Sequence, residues 1–228
     1  GGVGKKDIFY FNLPEEAKPD KVLLMKGQVE TENVEEIKDT KLEVRYESGK
    51  VVEQEISISD DGGYVAVANL GSGKEDVLIE VKKEGKAYES KLIKKEETSK
   101  TFVKEQELAI KDVKKGSKHT INDILFASNS ADISDASKLV LDGFASWLKD
   151  NPSIKIEIQG HTDDVGNDTD NMALSQDRAY SVMEYLSTNG GVKASRIKFK
   201  GYGETKPKVP NDSPSNRKKN RRTDFLIL

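Results

Sequence analysis

The chain has 228 residues, six prolines, no cysteine and 34% charged residues, against about 25% in an average soluble domain, so it reads as a soluble, disulfide-free protein of one large or two small domains. Lys+Arg 37 nearly balances Asp+Glu 40, and the net charge of -3 gives no global pull toward nucleic acid or anionic lipid, which makes any electrostatic recognition local. The longest run without a charge, Gly62 to Gly73, is glycine-rich and twelve residues long, well short of the roughly 20 apolar residues that a spanning helix needs. The chain begins Gly-Gly rather than Met and shows no signal-peptide pattern. It therefore reads as a piece of a longer protein whose targeting segment lies elsewhere. Zero cysteines fits a reducing or an oxidising compartment equally.

Residues 1–19 hold one strand-like stretch, Asp7-Ile8-Phe9-Tyr10-Phe11-Asn12-Leu13-Pro14, read as the end of a preceding domain or a linker. From residue 20 to 97 the apolar residues alternate: Val22 and Leu24; Leu42, Val44 and Tyr46; Ile56 and Ile58; Val77, Ile79 and Val81. Period two predicts half-buried strands. Turn chemistry at Glu47-Ser48-Gly49, Asp60-Asp61-Gly62-Gly63 and Gly71-Ser72-Gly73 spaces them as in a small antiparallel sandwich. Residues 98–117 are dominated by Lys and Glu and read as a linker, with one strand around 102–108.

From 118 to 228 the pattern changes. Residues 121–126 read as a strand, and Ser134 as the N-cap of a helix with the stripe Leu139, Val140, Phe144, Trp147 and Leu148, ending at Asn151-Pro152. Ile154, Ile156 and Ile158 predict a second strand, followed by a loop from Gly160 to about Asp170. Leu174, Ala179, Val182, Met183 and Leu186 predict a second helix, stopped by Gly190-Gly191. A third strand at 197–200, a loop with Pro207, Pro210 and Pro214, a basic segment at 217–222 and a last strand at 225–228 complete the chain. The fold class expected is α+β: a small all-β sandwich, then a two-layer α/β domain with a mixed sheet and helices on one face.

The chemistry concentrates in Gly160-His161-Thr162-Asp163-Asp164-Val165-Gly166 and in Asn171-Met172-Ala173-Leu174-Ser175-Gln176-Asp177-Arg178-Ala179. The first stretch sits at a strand's C-terminal end and the second at a helix start, and such ends converge on ligand crevices in open α/β sheets. Asp163 suits an ammonium, and Arg178 can grip a carboxylate with two parallel N–H bonds. Together they suit a zwitterion such as an amino-acid head group.

Residues 118–228 resemble the OmpA-like peptidoglycan-binding domain. The resemblance rests on Gly160-His161-Thr162-Asp163, Asn171, Leu174-Ser175, Arg178-Ala179, Ser195-Arg196-Ile197, Gly201-Tyr202-Gly203-Glu204, Pro207, Asn211, and Arg217 with Asn220-Arg221-Arg222. It implies that Asp163 binds the side-chain ammonium of meso-diaminopimelate in the peptidoglycan stem peptide, and Arg178 the carboxylate beside it. It further implies contacts from Thr162, Asn171, Leu174 and Arg221, and from Ser128 and Asn129 in the loop after the first strand. Many members have Phe-Asp where this chain has Phe126-Ala127. Residues 20–97 resemble a carboxypeptidase-regulatory-like sandwich. The order of domains is similar to that of PorE-type components of the type IX secretion system, which implies a periplasmic place, outer-membrane association through another part of the protein, and other envelope proteins as partners.

Plainer readings stand beside these. An Asp–Arg pair is most often a surface salt bridge worth at most about 1 kcal/mol, and Arg221 suits bracing the last strand against a carboxylate as well as ligand contact. The basic strip at 217–222 lacks interleaved aromatic residues to stack on bases, so no nucleic-acid partner is expected. Two histidines, with no third ligand suitably spaced, leave no metal site, and no cofactor is expected. Asp163 and Asp164 are adjacent and point opposite ways on an extended chain, against an acid/base pair of a hydrolase. The expectation is a non-enzymatic anchor, with a protein-interaction scaffold or a peptidoglycan-cleaving enzyme as the alternatives.

Overall fold

The structure, a computed structural model, describes residues 21–228 apart from 32, 38–39, 56–58, 60–61, 72–74, 99–101 and 128. The strand read at 7–13 and the pair Ile56 and Ile58 lie outside the described residues.

Two sheets form the first half. β1 (Lys21–Glu30) lies between β4 (Gly63–Gly71), antiparallel to it, and β7 (Phe102–Ala109), parallel to it. The second sheet has the order β3 (Val51–Glu55), β2 (Lys41–Tyr46), β5 (Val77–Lys82) and β6 (Glu89–Ile93), all antiparallel. Alternate residues turn inward and share one core: Leu23 and Met25; Ala66 and Ala68; Leu42 and Val44; Val77 and Ile79. Residues 98–117 were read as a linker carrying a strand, and that strand is β7, a member of the first sheet. Leu108 and Ile110 reach this core, so the sheet continues into the Lys/Glu-rich segment.

The second half holds a four-stranded sheet in the order β10 (Ile197–Gly201), β9 (Ile156–Gly160), β11 (Thr223–Ile227) and β8 (Lys118–Ile121). β9 and β10 are parallel, and β11 runs antiparallel to both neighbours. α1 (Asp135–Asp150) and α2 (Asp168–Thr188) join it. Ser134 caps α1 as expected, its hydroxyl accepting from the Ser137 amide. The expected strand at 121–126 is displaced to 118–121, because Asp123 turns the chain at a φ of 61° and leaves Phe126 in a single bridge to Ile133. The basic segment is not irregular. Ser213 caps a short helix, α3 (Pro214–Asn220), by accepting from the Asn216 amide, with Pro214 in its first turn.

The two halves meet through α1. The outer face of the β3-β2-β5-β6 sheet does not face water: Leu78, Ala87 and Tyr88 belong to the same core cluster as Val140, Phe144 and Trp147 of α1 and Phe225 of β11. The Phe144 ring lies 5.3 Å from Tyr88, 5.5 Å from Trp147 and 4.8 Å from Phe225. Trp147 Nε1 donates to the Lys86 carbonyl at 3.0 Å. α1 approaches so closely because it presents Gly143: a Cβ there would stand 1.9 Å from Glu80 Oε1 and 2.5 Å from Tyr88 Oη.

Glu80, fully buried at this contact, accepts from Arg45 Nε at 3.0 Å, and Tyr88 Oη lies 3.0 Å from its other oxygen and 3.1 Å from the Val140 carbonyl. A tyrosine hydroxyl has one proton for two acceptors. It either shares that proton between the two acceptors or donates to Val140 while accepting from a protonated Glu80. Burial raises the Glu80 pKa to about 7, outweighing the opposing pull of Arg45 and Lys82.

A carboxyl group held above its unfolded pKa stabilises the fold fully below about pH 4.5 and loses that contribution as pH rises toward 7. Thermal midpoints of the parent and Glu80→Gln, measured from about pH 5 to about pH 8, are expected to show this loss in the parent and a flatter profile in the neutral amide. The same slope in both proteins contradicts a protonated Glu80.

Candidate functional site

The site is built where β9 ends. Gly160 lets α2 come close, since a Cβ there would meet the Ser175 carbonyl at 2.2 Å. Beyond it the loop is pinned from both sides: the His161 amide donates to the Arg222 carbonyl at 3.0 Å, and the Thr162 amide to the Gly203 carbonyl at 3.0 Å. α2 starts at its Asn167 cap, whose side chain accepts from the Asp170 amide at 2.8 Å.

Asp163 is 6% exposed. One of its oxygens accepts from the Val165 amide at 3.2 Å, and the other is paired with Arg221 Nη1. Asp164 points away and pairs with Arg217 at 2.9 Å, so the two adjacent carboxylates serve different partners. Arg178 emerges from α2 on the facing side. Its Nε donates to the Ser130 carbonyl at 2.9 Å and its Nη2 to the Ala127 carbonyl at 3.4 Å, and its guanidinium lies 5.0 Å from the Phe126 ring centre. Burial, with the Arg221 charge nearby, lowers its pKa, while Asp163 opposes the shift. Arg178 and Arg221 both line a cavity of about 650 Å³ floored by Ile124, Leu125 and Phe126.

The other expected contacts divide. Asn171 is buried, and its amide nitrogen reaches the Asp163 carbonyl at 3.3 Å, the Val165 carbonyl at 3.2 Å and Glu204 Oε2 at 2.6 Å. It therefore holds the loop that carries Asp163. The Thr162 hydroxyl is buried and has no hydrogen-bond partner among the described residues. Leu174 is half-buried on α2, and Asn129 is exposed with a φ of 50°. Ser128 lies outside the described residues. His161, packed on Tyr202 at 5.4 Å, has its pKa pushed down to about 4, first by burial and then by Arg222, so it is neutral near pH 7. The described residues contain no cluster able to hold a metal ion.

Several lining residues were not singled out from the sequence as site residues: Lys208, Lys218, Lys219 and Arg222 face the same cavity. α3 carries Lys218 and Lys219, and its last residue, Asn220, accepts from the Lys208 amide at 2.8 Å. Arg222 is itself anchored, with Nε 3.0 Å from Asp224 Oδ2.

Residues 125–221 match the model of the OmpA family. The chain is similar to the peptidoglycan-associated lipoprotein of Pasteurella multocida, 36% identical over 101 residues that cover 44% of this chain and 67% of that protein. It is similar to the peptidoglycan-binding protein ArfA of Mycobacterium tuberculosis, 34% identical over 104 residues, 46% of this chain and 32% of that protein. Among solved structures, the peptidoglycan-associated lipoprotein from Burkholderia pseudomallei is 31% identical, with 46% of this chain and 88% of that chain covered and a TM-score of 0.43. The chain spans less than half the length of several other curated relatives it matches.

Removing the Asn171 amide leaves two loop carbonyls and a carboxylate without this donor, at about 1–3 kcal/mol for each buried group that stays unpaired. Asn171→Ala is expected to lower stability by an amount on that order in urea denaturation. A change below about 0.5 kcal/mol contradicts the loop-holding role.

Proposed function

From the premise that the chain belongs to the OmpA family through residues 125–221, we propose that it binds peptidoglycan non-covalently through the meso-diaminopimelate of the stem peptide. In this reading it holds a periplasmic or outer-membrane assembly to the cell wall and makes or breaks no covalent bond. The supporting observation is that buried Asp163 is paired with Arg221, a cation that lines one cavity together with Arg178. A side-chain ammonium next to a carboxylate is what such a pair of charges complements.

In this reading Arg221 is the cation exchanged. It already supplies Asp163 with a positive partner, so a ligand ammonium takes over a place designed for a cation rather than opening an unpaired buried charge. The released guanidinium, whose side chain is 48% exposed, turns to the ligand carboxylate alongside Arg178. Arg178 stays backed by two loop carbonyls and the face of Phe126. Asn171 keeps the Asp163 loop in place throughout. Wall material with lysine in place of diaminopimelate has no carboxylate for Arg178 and binds weakly.

Losing either charge strands its partner on the ligand, a cost of about 2 to 5 kcal/mol. Asp163→Ala and Arg178→Ala, each checked for native circular dichroism, are expected not to sediment with diaminopimelate-type sacculi. Undiminished sedimentation of both variants rejects this assignment.

A further inference from the structure

The cavity is larger and more cationic than a zwitterionic head group requires. Its volume of about 650 Å³ lies within the roughly 300–1,000 Å³ of sites that hold whole small ligands. Six cations line it, Arg178, Lys208, Lys218, Lys219, Arg221 and Arg222, against a single carboxylate residue, Asp123. Asp163 balances Arg221 and Asp224 balances Arg222. Lys208, Lys218 and Lys219 have no carboxylate within ion-pair distance among the described residues. Diaminopimelate's ammonium and adjacent carboxylate bring one charge of each sign, so they leave this excess untouched. A cleft walled by one sign of charge concentrates ligands of the opposite sign.

We infer that the wall formed by Lys208, Lys218 and Lys219 is a second subsite, which takes the free carboxylate of the glutamate that precedes diaminopimelate in the stem peptide. The inference rests on the diaminopimelate reading above and extends it from one residue to a peptide. Arg178 in the cavity and Asp163, next to its lining residue Arg221, fix the head group, Ile124, Leu125 and Phe126 give the alkyl parts an apolar lining, and the lysines meet the next negative charge along the ligand. The lysine side chains are exposed, so each contributes the modest amount of a solvated ion pair, and selectivity comes from three acting together.

The test is calorimetric titration of the full chain at low salt with two stem pentapeptides, one with the glutamate carboxylate free and one with it amidated. The parent is expected to prefer the acidic peptide about fivefold, and Lys208→Gln/Lys218→Gln/Lys219→Gln is expected to bring that ratio close to one. A parent ratio of one, or an unchanged ratio in the triple variant, overturns the second subsite while leaving the diaminopimelate reading intact. Weakening of both peptides by the same factor in the triple variant also overturns it, because the lysines then act only as a general field. If neither peptide binds the parent, the diaminopimelate reading fails, and the subsite with it.

Discussion

The structure depends on one close contact, the approach of α1 to the β3-β2-β5-β6 sheet at Gly143. Only a residue without a Cβ lets the helix backbone come down on Glu80 and Tyr88. That approach puts Phe144 and Trp147 against Tyr88 and Phe225 at once. α1 is therefore buried on more than one side and belongs to both halves of the described chain. A helix packed only on its own sheet would leave Leu78 and Tyr88 exposed. Here they are completely or nearly covered, and one hydrophobic cluster runs from the second sheet through α1 to β11.

The same arrangement governs the site. β11 and β9 are central strands of the last sheet, and the loop after β9 leans on Arg222 at the entrance to β11. The packing that fixes β11 thus also fixes the position of Asp163. From the other side, Arg178 ties α2 to the loop at 127–130, and that loop leads directly into α1. Asp163 and Arg178 are held by elements that answer to the shared core, which in the proposed reading makes the site preorganised rather than assembled on contact.

How far this was legible in the sequence follows from the range of each interaction. Alternation and helical stripes are local, so strands such as β2 and β5, both long helices and the Ser134 cap follow from the residues themselves. The position of Asp163 just past a strand end follows in the same way, whereas Arg178, expected at a helix start, lies in the middle of α2. The alternation of Val77, Ile79 and Val81 equally puts Glu80 on the opposite face, where a solvated surface is the natural reading. What buries it is a helix more than fifty residues later, and no local pattern announces that. β7 is legible as a strand around 102–108, but its place in the first sheet is not, because its partner β1 lies far upstream. The departure at the site has the same origin. Asp163 and Arg178 read as an open acid and base awaiting a ligand, yet Asp163 is paired with Arg221, 58 residues away, and Arg178 with a carbonyl 48 residues before it.

Those existing partners change the energetics of recognition. An isolated buried carboxylate would be costly to maintain before ligand arrives, and a buried, neutralised one would be costly to re-expose. The Asp163–Arg221 pair avoids both extremes: the acid is 8% exposed at its side chain and its partner 48%, so the cation can leave toward solvent while the acid stays in place. In the proposed mode binding is an exchange of one cation for another, and its net gain is the difference between two ion pairs rather than the whole of one. Affinity under such an exchange depends on what the displaced Arg221 finds next. A ligand that offers only an ammonium leaves it in water, whereas one that offers an adjacent carboxylate gives it a new partner beside Arg178. In the proposed mode, therefore, discrimination between the two ligands resides less in Asp163 itself than in the re-employment of the cation it releases.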